Sequence, residues 1–199
     1  MNCLYCDRPI RSYTLRSILW KEDELCPDCR RKLRVSRRII AMKEFKVETF
    51  FEYDGFFREF LLQYKECHDE ALKDVFLYDL KEYIEIRYRP YHLIFIPSSR
   101  KKKAERGFSH LEEMFRTVQL KRISGLEMKR EMSQEGKNSS EREEMINNFV
   151  YKGPFTDRIL LLDDVLTTGS TLKGAFHCLK PYSSDVKVLS LAYKNITLH

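Results

Sequence analysis

The stretch that most constrains this chain is Arg158-Ile-Leu-Leu-Leu-Asp-Asp-Val-Leu-Thr-Thr-Gly-Ser-Thr-Leu172. Its apolar run, Ile159 to Leu162, is bounded by charge and long enough for a buried strand. Asp163 and Asp164 follow at once, then Val165-Leu166, then the small residues Thr167, Thr168, Gly169, Ser170 and Thr171. Leu172, Ala175, Phe176 and Leu179 recur at helical spacing, so the small-residue loop lies between a strand and a helix N-terminus. Exposed amides and the helix dipole at such a point favour an anion, and phosphate is the natural ligand. The acidic pair would repel a phosphate but could accept hydrogen bonds from vicinal hydroxyls. A 5′-phosphorylated ribose satisfies both halves. An ordinary βα turn with a capped helix needs one hydroxyl and no preceding carboxylate pair. Nor is the loop a P-loop, because no Gly-Lys-Ser/Thr follows.

At the other end of the chain, Cys3-Leu-Tyr-Cys6 and Cys26-Pro-Asp-Cys29 bracket the 19 residues 7–25. Two Cys-x2-Cys pairs at this separation fit a structural zinc site, in which each pair turns both sulfurs toward one ion. Four thiolates close the tetrahedral shell and leave no open position, so Cys3, Cys6, Cys26 and Cys29 are assigned to structure and not catalysis. Two disulfides are the rival, but nothing else points to an oxidising compartment. Cys67 and Cys178 stand alone and are expected to be buried thiols.

The 199 residues fit one domain plus a small appended module, and 43% apolar content is enough for a sizeable core. We expect a zinc module with a basic linker helix over residues 1–40, and a second domain over 41–199. No apolar run approaches the ~20 residues that span a bilayer, and the N-terminus lacks the plan of a signal peptide. These features lead us to expect a soluble, cytoplasmic protein without membrane insertion. The net charge of +6 is concentrated in two clusters. One is Arg30, Arg31, Lys32, Arg34, Arg37 and Arg38; the other is Arg100, Lys101, Lys102, Lys103 and Arg106. Such clusters suit phosphate-rich partners, or form a solvated face.

Between these landmarks the chain alternates strand and helix signals. Val47 to Tyr53 reads as a strand, Asp54-Gly55 as a turn, and Phe56, Phe57, Phe60, Leu61 and Tyr64 as a helix face with Arg58 and Lys65 outward. We take the aromatics here as core and set only Tyr53 and Lys65 apart from it. Leu72, Val75, Phe76, Leu80, Tyr83 and Ile84 form an amphipathic stripe within 69–87. Tyr91 to Ile96 is the next strand. Pro97 ends it, and Ser98, Ser99, Arg100 and the lysines offer hydroxyls, amides and cations to a pyrophosphate. Leu111, Met114, Phe115 and Val118 give a helix, and 125–128 a short strand. Residues 129–148 are polar and dense in charge, a long loop that regains helix at the capping-box pattern Ser140-Glu-Arg-Glu143. Val186 to Ala192 is a last apolar strand. The order fits an α/β fold, a parallel sheet with helices on its faces, with the ligand at the carboxyl edge of the strands.

The segment 158–172 resembles the phosphoribosyl-pyrophosphate (PRPP) motif of type I phosphoribosyltransferases. The four-cysteine module, Tyr53-Asp-Gly55, Arg106-Gly-Phe108, the polar run and the PRPP loop resemble, in that order, the ComF family of competence-associated phosphoribosyltransferase-like proteins. Ser109 and His110 depart from it, standing where that family reads Asn-Gln, and Ile96-Pro97-Ser98 stands for its Pro-Val-Pro. The resemblance implies a type I phosphoribosyltransferase-like sheet with a lid. Gln134, Lys137 and Arg142 are the lid's candidate ligands, although a solvated linker accounts for the run equally well. It also implies a cytoplasmic protein of natural transformation that handles imported single-stranded DNA, with a helicase-like partner.

Two functions are compatible with these residues. In the first, an enzyme transfers phosphoribosyl from PRPP to a nucleophile and releases pyrophosphate. Asp163 and Asp164 then hold the ribose hydroxyls directly or through Mg²⁺, Thr167 to Thr171 cradle the 5′-phosphate, and Ser98 to Arg100 receive pyrophosphate with Mg²⁺ across its oxygens. No residue can be nominated as the base for an acceptor. In the second, the site binds PRPP without turnover and the work is done on single-stranded DNA through the basic clusters and neighbouring aromatics. A nucleotide-salvage or other metabolic phosphoribosyltransferase is a third reading, which the zinc module fits poorly.

Overall fold

A computed structural model describes residues 1–10, 23–66, 70–97, 109–129 and 148–194. Ser98, Ser99, Arg100, Gln134, Lys137, Arg142, Cys67 and the second basic cluster lie outside these residues, as does Arg106-Gly-Phe108.

Seven strands are described: β1 (Arg38–Ala41), β2 (Lys46–Glu52), β3 (His92–Phe95), β4 (Leu126–Met128), β5 (Phe149–Tyr151), β6 (Arg158–Leu166) and β7 (Asp185–Tyr193). The helices are α1 (Pro27–Lys32), α2 (Gly55–Glu66), α3 (Lys81–Arg87), α4 (His110–Met114) and α5 (Ser170–Leu179), with 3₁₀ turns at Glu70–Asp74 and Lys180–Tyr182. Five strands form one sheet in the order β1-β2-β7-β6-β3. All its pairs are parallel except β1 with β2. β4 and β5 form a separate antiparallel pair. The mixed α/β class and the parallel sheet expected from the element order are both present.

Parallel strands buried on both faces read as continuous apolar runs, and β6 does so: Ile159, Leu160, Leu161 and Leu162 are all fully buried. Alternation along β6 separates two cores. Leu160 and Leu162 pack with Phe57, Phe60 and Tyr64 of α2 and Leu111 and Met114 of α4. Ile159 and Leu161 pack with Leu172, Ala175, Phe176 and Leu179 of α5. Cys3, Cys26 and Cys29 belong to the first core, so the cysteine module is continuous with the packing around α2.

Two local expectations change. Arg38, placed in a basic linker helix, instead opens β1, whose β-branched Ile39 and Ile40 pair with Glu48 and Val47; the helix itself covers only Pro27–Lys32. The stripe over 69–87 is not one helix: α3 begins only at Lys81, after a 3₁₀ turn and a run of turns. The Val75 carbonyl, which a continuous helix would use internally, accepts the Arg30 guanidinium at 3.0 Å instead.

A buried carboxylate fastens α3 to the sheet. Glu48 of β2 accepts hydrogen bonds from Tyr83 Oη at 2.6 Å, from Tyr88 Oη, and from Arg37 Nε at 2.5 Å. Burial opposes its ionisation, but the Arg37 guanidinium and the two phenols hold its carboxyl below the ordinary range. Burial and the neighbouring Glu48 charge push the Tyr88 phenol well above its usual value.

Candidate functional site

The carboxyl ends of β2, β7, β6 and β3 share one edge of the sheet. Glu52 pairs with Tyr193, Tyr193 with Leu166, and Phe95 with Leu162. Ligands of open parallel sheets bind at this edge. Both carboxylates of the motif are still within β6, which runs to Leu166, beyond the apolar run alone. Gly169 turns the chain at φ 76°, a left-handed conformation that glycine adopts without strain, and α5 starts at the next residue. Thr168 and Ser170 bond to one another, Oγ1 to Oγ at 3.1 Å, and the Ser170 amide reaches Thr168 Oγ1 at 3.4 Å. No acidic residue lies in the first turn of α5, so the positive end of its dipole is not compensated by a carboxylate within that turn. Thr167 and Thr168 are exposed, and Ser170 and Thr171 half-buried.

The two carboxylates differ in their surroundings. Asp163 Oδ1 accepts the Asp164 backbone amide at 2.9 Å. Asp164 Oδ2 meets Lys65 Nζ from α2 and, at 2.7 Å, His110 Nε2 from α4. The three side chains are 16% (Lys65), 18% (Asp164) and 9% (His110) exposed, so this is a largely desolvated cluster. Burial works against both acids. Asp164 is nevertheless held well below the usual carboxylate range by the Lys65 charge and the His110 hydrogen bond. Asp163 is pushed up to about 7 by burial and by the neighbouring Asp164 charge. Two adjacent acids with such different proton affinities can do different work.

Sequence reasoning missed this cluster. Lys65 is on the buried side of α2 and not outward; Arg58 is exposed as expected. His110 entered only as a departure from the family pattern, yet it is buried and reaches the motif across 54 residues of sequence. No local signal separates Lys65 from an outward lysine, because its partner Asp164 is 99 residues away in sequence.

Cys3, Cys6, Cys26 and Cys29 converge, with all four sulfurs within 4.8 Å of one another. The Cys6 and Cys26 sulfurs are 3.7 Å apart, close to the roughly 3.8 Å that tetrahedral thiolates 2.3 Å from zinc would show. Asp7, directly after Cys6, has φ 57°, and its amide reaches back to the Cys3 carbonyl at 2.9 Å, which closes the first knuckle. Burial would raise the Cys3 thiol, but amides of Cys26, Cys6 and Tyr5 turned toward its sulfur take it down to about 7. All four thiols are free of disulfides. The donor set, spacing and burial fit a metal such as zinc. Cys178, expected to be a buried thiol, is free of disulfides but only half-buried.

Several cations of the first basic cluster have structural duties. Arg30 is bound to Asp23 at 2.6 Å, and Arg37 to Glu48. Arg38 stacks over Tyr193, 5.0 Å from the ring centroid. Lys32 and Arg34 line a cleft with Glu52, Asp54 and Phe56 at the carboxyl end of β2. Among the described residues no helix is long and apolar enough to cross a membrane.

No family model matches the chain. It is 31% identical over 166 residues to competence protein ComFC of Streptococcus pneumoniae, an alignment that spans 82% of this chain and 70% of that protein.

Proposed function

The chain belongs to the ComF family of competence proteins, and from that premise we propose that it is a competence-associated protein that binds PRPP and acts on imported single-stranded DNA in natural transformation. The observation that carries the reading is the junction of β6 and α5: a carboxylate pair, a left-handed glycine and a helix N-terminus with no acidic residue in its first turn, in sequence, at the carboxyl edge of a parallel sheet. Thr167 to Thr171 cradle the 5′-phosphate with amides and hydroxyls. The acidic end of β6 receives the ribose hydroxyls, and Ser98, Ser99 and Arg100 take the pyrophosphate. Mg²⁺, when bound, neutralises charge across the pyrophosphate oxygens. Zinc held by Cys3, Cys6, Cys26 and Cys29 fixes the module against α2 and takes no part in chemistry.

In transfer, a nucleophile bonds to the ribose C1′ while the bond to pyrophosphate breaks with its electron pair, and the nucleophile's proton passes to solvent. The protein's share is to orient the two phosphate groups and keep the ring in place between them. Exposed Lys32 and Arg34 beside Phe56 support the nucleic-acid half of the reading, by charge and stacking.

Calorimetry with PRPP and Mg²⁺ tests the central claim. Wild type should bind, and Asp163→Ala/Asp164→Ala should not; equal binding by both overturns it. Pyrophosphate release with base, amine or nucleic-acid acceptors then tests turnover. For the DNA half, a gel shift with a single-stranded oligonucleotide should weaken as salt rises and on loss of Lys32 and Arg34. A shift insensitive to both refutes it.

A further inference from the structure

The amino edge of the sheet, opposite the edge that carries the β6–α5 loop, holds a cavity of about 1240 Å³. The starts of β3, β6 and β7 border it, together with the segment 121–123. Arg158 opens β6 and Asp163 stands five residues further along, so roughly 17 Å of strand separates the cavity from the acidic pair.

Alternation along the chain decides which side chains share the cavity. Leu93 of β3 packs with the α2 and α4 core and Ile94 with the α5 core, which puts His92 on the α5 face. Residues 121–123 run extended beside β3. The Leu93 amide bonds the Lys121 carbonyl at 2.8 Å, and the Ile123 amide bonds the Leu93 carbonyl at 2.9 Å. Arg122 turns to the other face, where it donates to the Phe115 carbonyl and lies over the Phe95 ring. Lys121 and Ile123 therefore share the α5 face with His92. Phe155 borders the same cavity and is 63% exposed. Its backbone is pinned on both sides. The Pro154 carbonyl accepts Tyr151 Oη at 3.0 Å, and the Thr156 amide bonds the Tyr182 carbonyl at 2.9 Å. Asp157 and Arg158, both exposed, stand on the rim.

We propose that this cavity binds a nucleoside monophosphate, with the base on Phe155 and Ile123 and the phosphate at Lys121, Arg158 and His92 Nε2. The site is separate from the β6–α5 loop and does not rest on the PRPP reading. Among the described residues neither Lys121 nor Arg158 forms an ion pair, although two acids border the same cavity. One of those acids, Asp185, is taken by Tyr91 Oη at 2.5 Å. Two unpaired cations suit the double charge of a phosphate monoester better than a single carboxylate. His92 Nδ1 is sealed from solvent without a hydrogen-bond partner. A buried N–H with no acceptor is the costlier state, so the proton of the neutral ring sits on Nε2, the nitrogen left to the cavity. An exposed aromatic on fixed backbone offers a planar base a stacking surface. The Asp157 carboxylate, also without a partner among the described residues, is free to accept from the sugar hydroxyls.

Calorimetry of the whole chain with AMP tests the site. Wild type should bind AMP, and adenosine and inorganic phosphate should each bind about tenfold more weakly or worse, because each fills one half of the site. Phe155→Ala should lose about tenfold in AMP affinity, the worth of one stacked base. Lys121→Glu should lose at least as much. Both should melt as wild type does, since both residues are exposed. His92→Phe, which keeps a ring but no donor, should weaken AMP and phosphate and leave adenosine unchanged. The proposal is overturned if wild type takes up no AMP at millimolar concentration, or if adenosine or phosphate alone matches AMP. It is equally overturned if Lys121→Glu/Phe155→Ala binds AMP with wild-type stoichiometry and affinity, which would put the nucleotide elsewhere on the chain.

Discussion

Met42 lies directly over Gly169: a Cβ on Gly169 would stand 2.5 Å from the Met42 methyl. The glycine at the head of the β6–α5 loop is required by its φ of 76°, and the Met42 methyl, the free end of a flexible side chain from the β1–β2 connection, would have to swing aside for a Cβ. Gly169→Ala should cost about 1–3 kcal/mol in stability, from a left-handed alanine and the contact together. It should also weaken PRPP binding, because the loop amides turn away. Met42→Ala in the same chain should return the contact part and not the backbone part. Denaturant unfolding of the single and double variants checks this: strictly additive effects would show that Met42 does not constrain the glycine.

The cysteine cluster and the α2 core are one packed unit, since Cys3, Cys26, Cys29 and Leu25 share a cluster with Phe57, Phe60 and Phe76. Tyr5 adds an edge contact to Phe56, with ring centroids 4.5 Å apart. Removing the metal should therefore lower the melting temperature of the whole chain in one transition, not release a loose module. Cys29→Ser or prolonged chelation should cost several kcal/mol. Metal analysis should return one zinc per chain. A protein that yields no zinc, or melts unchanged after chelation, contradicts this.

Much of this arrangement could be read from residue types, and the unread parts share one cause. The buried run on β6, the acidic pair, the left-handed glycine and the two Cys-x2-Cys knuckles are local patterns, each dictated by near neighbours in sequence. Lys65 on Asp164 and His110 on the same oxygen are long-range contacts, and helix-face counting assigned Lys65 to solvent. The strand Arg38–Ala41 was hidden by its charge: an edge strand pairs on one side only and tolerates exposed Arg38 and Ile39. The stripe at 69–87 kept its apolar positions but not its helix: a 3₁₀ turn and further turns precede Lys81, and the Val75 carbonyl is taken by Arg30 from outside the segment.

Glu48 gives a stability term with a definite pH dependence. Its carboxyl titrates lower in the folded chain than in the unfolded one. The unfolded state therefore binds more protons in acid, and the stability that Glu48 contributes is present above its unfolded pKa and lost as pH falls below about 4. Glu48→Gln should cost about 1–3 kcal/mol at neutral pH, since Tyr83, Tyr88 and Arg37 lose a charged acceptor. The gap to wild type should close on acidification. Urea unfolding from pH 7 to 3.5 measures it; a constant gap would mean that Glu48 is not held ionised by this network.

Asp163 should act with the opposite sign. Its carboxyl is raised to about 7 in the folded protein by burial and by Asp164 beside it, while an unfolded aspartate titrates near 4. Between these values the folded chain retains a proton that the unfolded chain has released, so stability falls as pH rises through the window. Asp163→Asn abolishes the ionisation. The variant should match wild type near pH 4 and gain on it progressively up to about pH 7, after which the difference levels off. Binding moves the other way, because an ionised Asp163 accepts hydrogen bonds from two hydroxyls where the protonated acid offers a competing donor. PRPP affinity of wild type should thus strengthen as pH climbs toward 7 while its stability declines. Melting curves and calorimetric titrations over the same pH series test both slopes, and a wild-type stability that rises from pH 5 to 7 relative to Asp163→Asn would reverse the assignment.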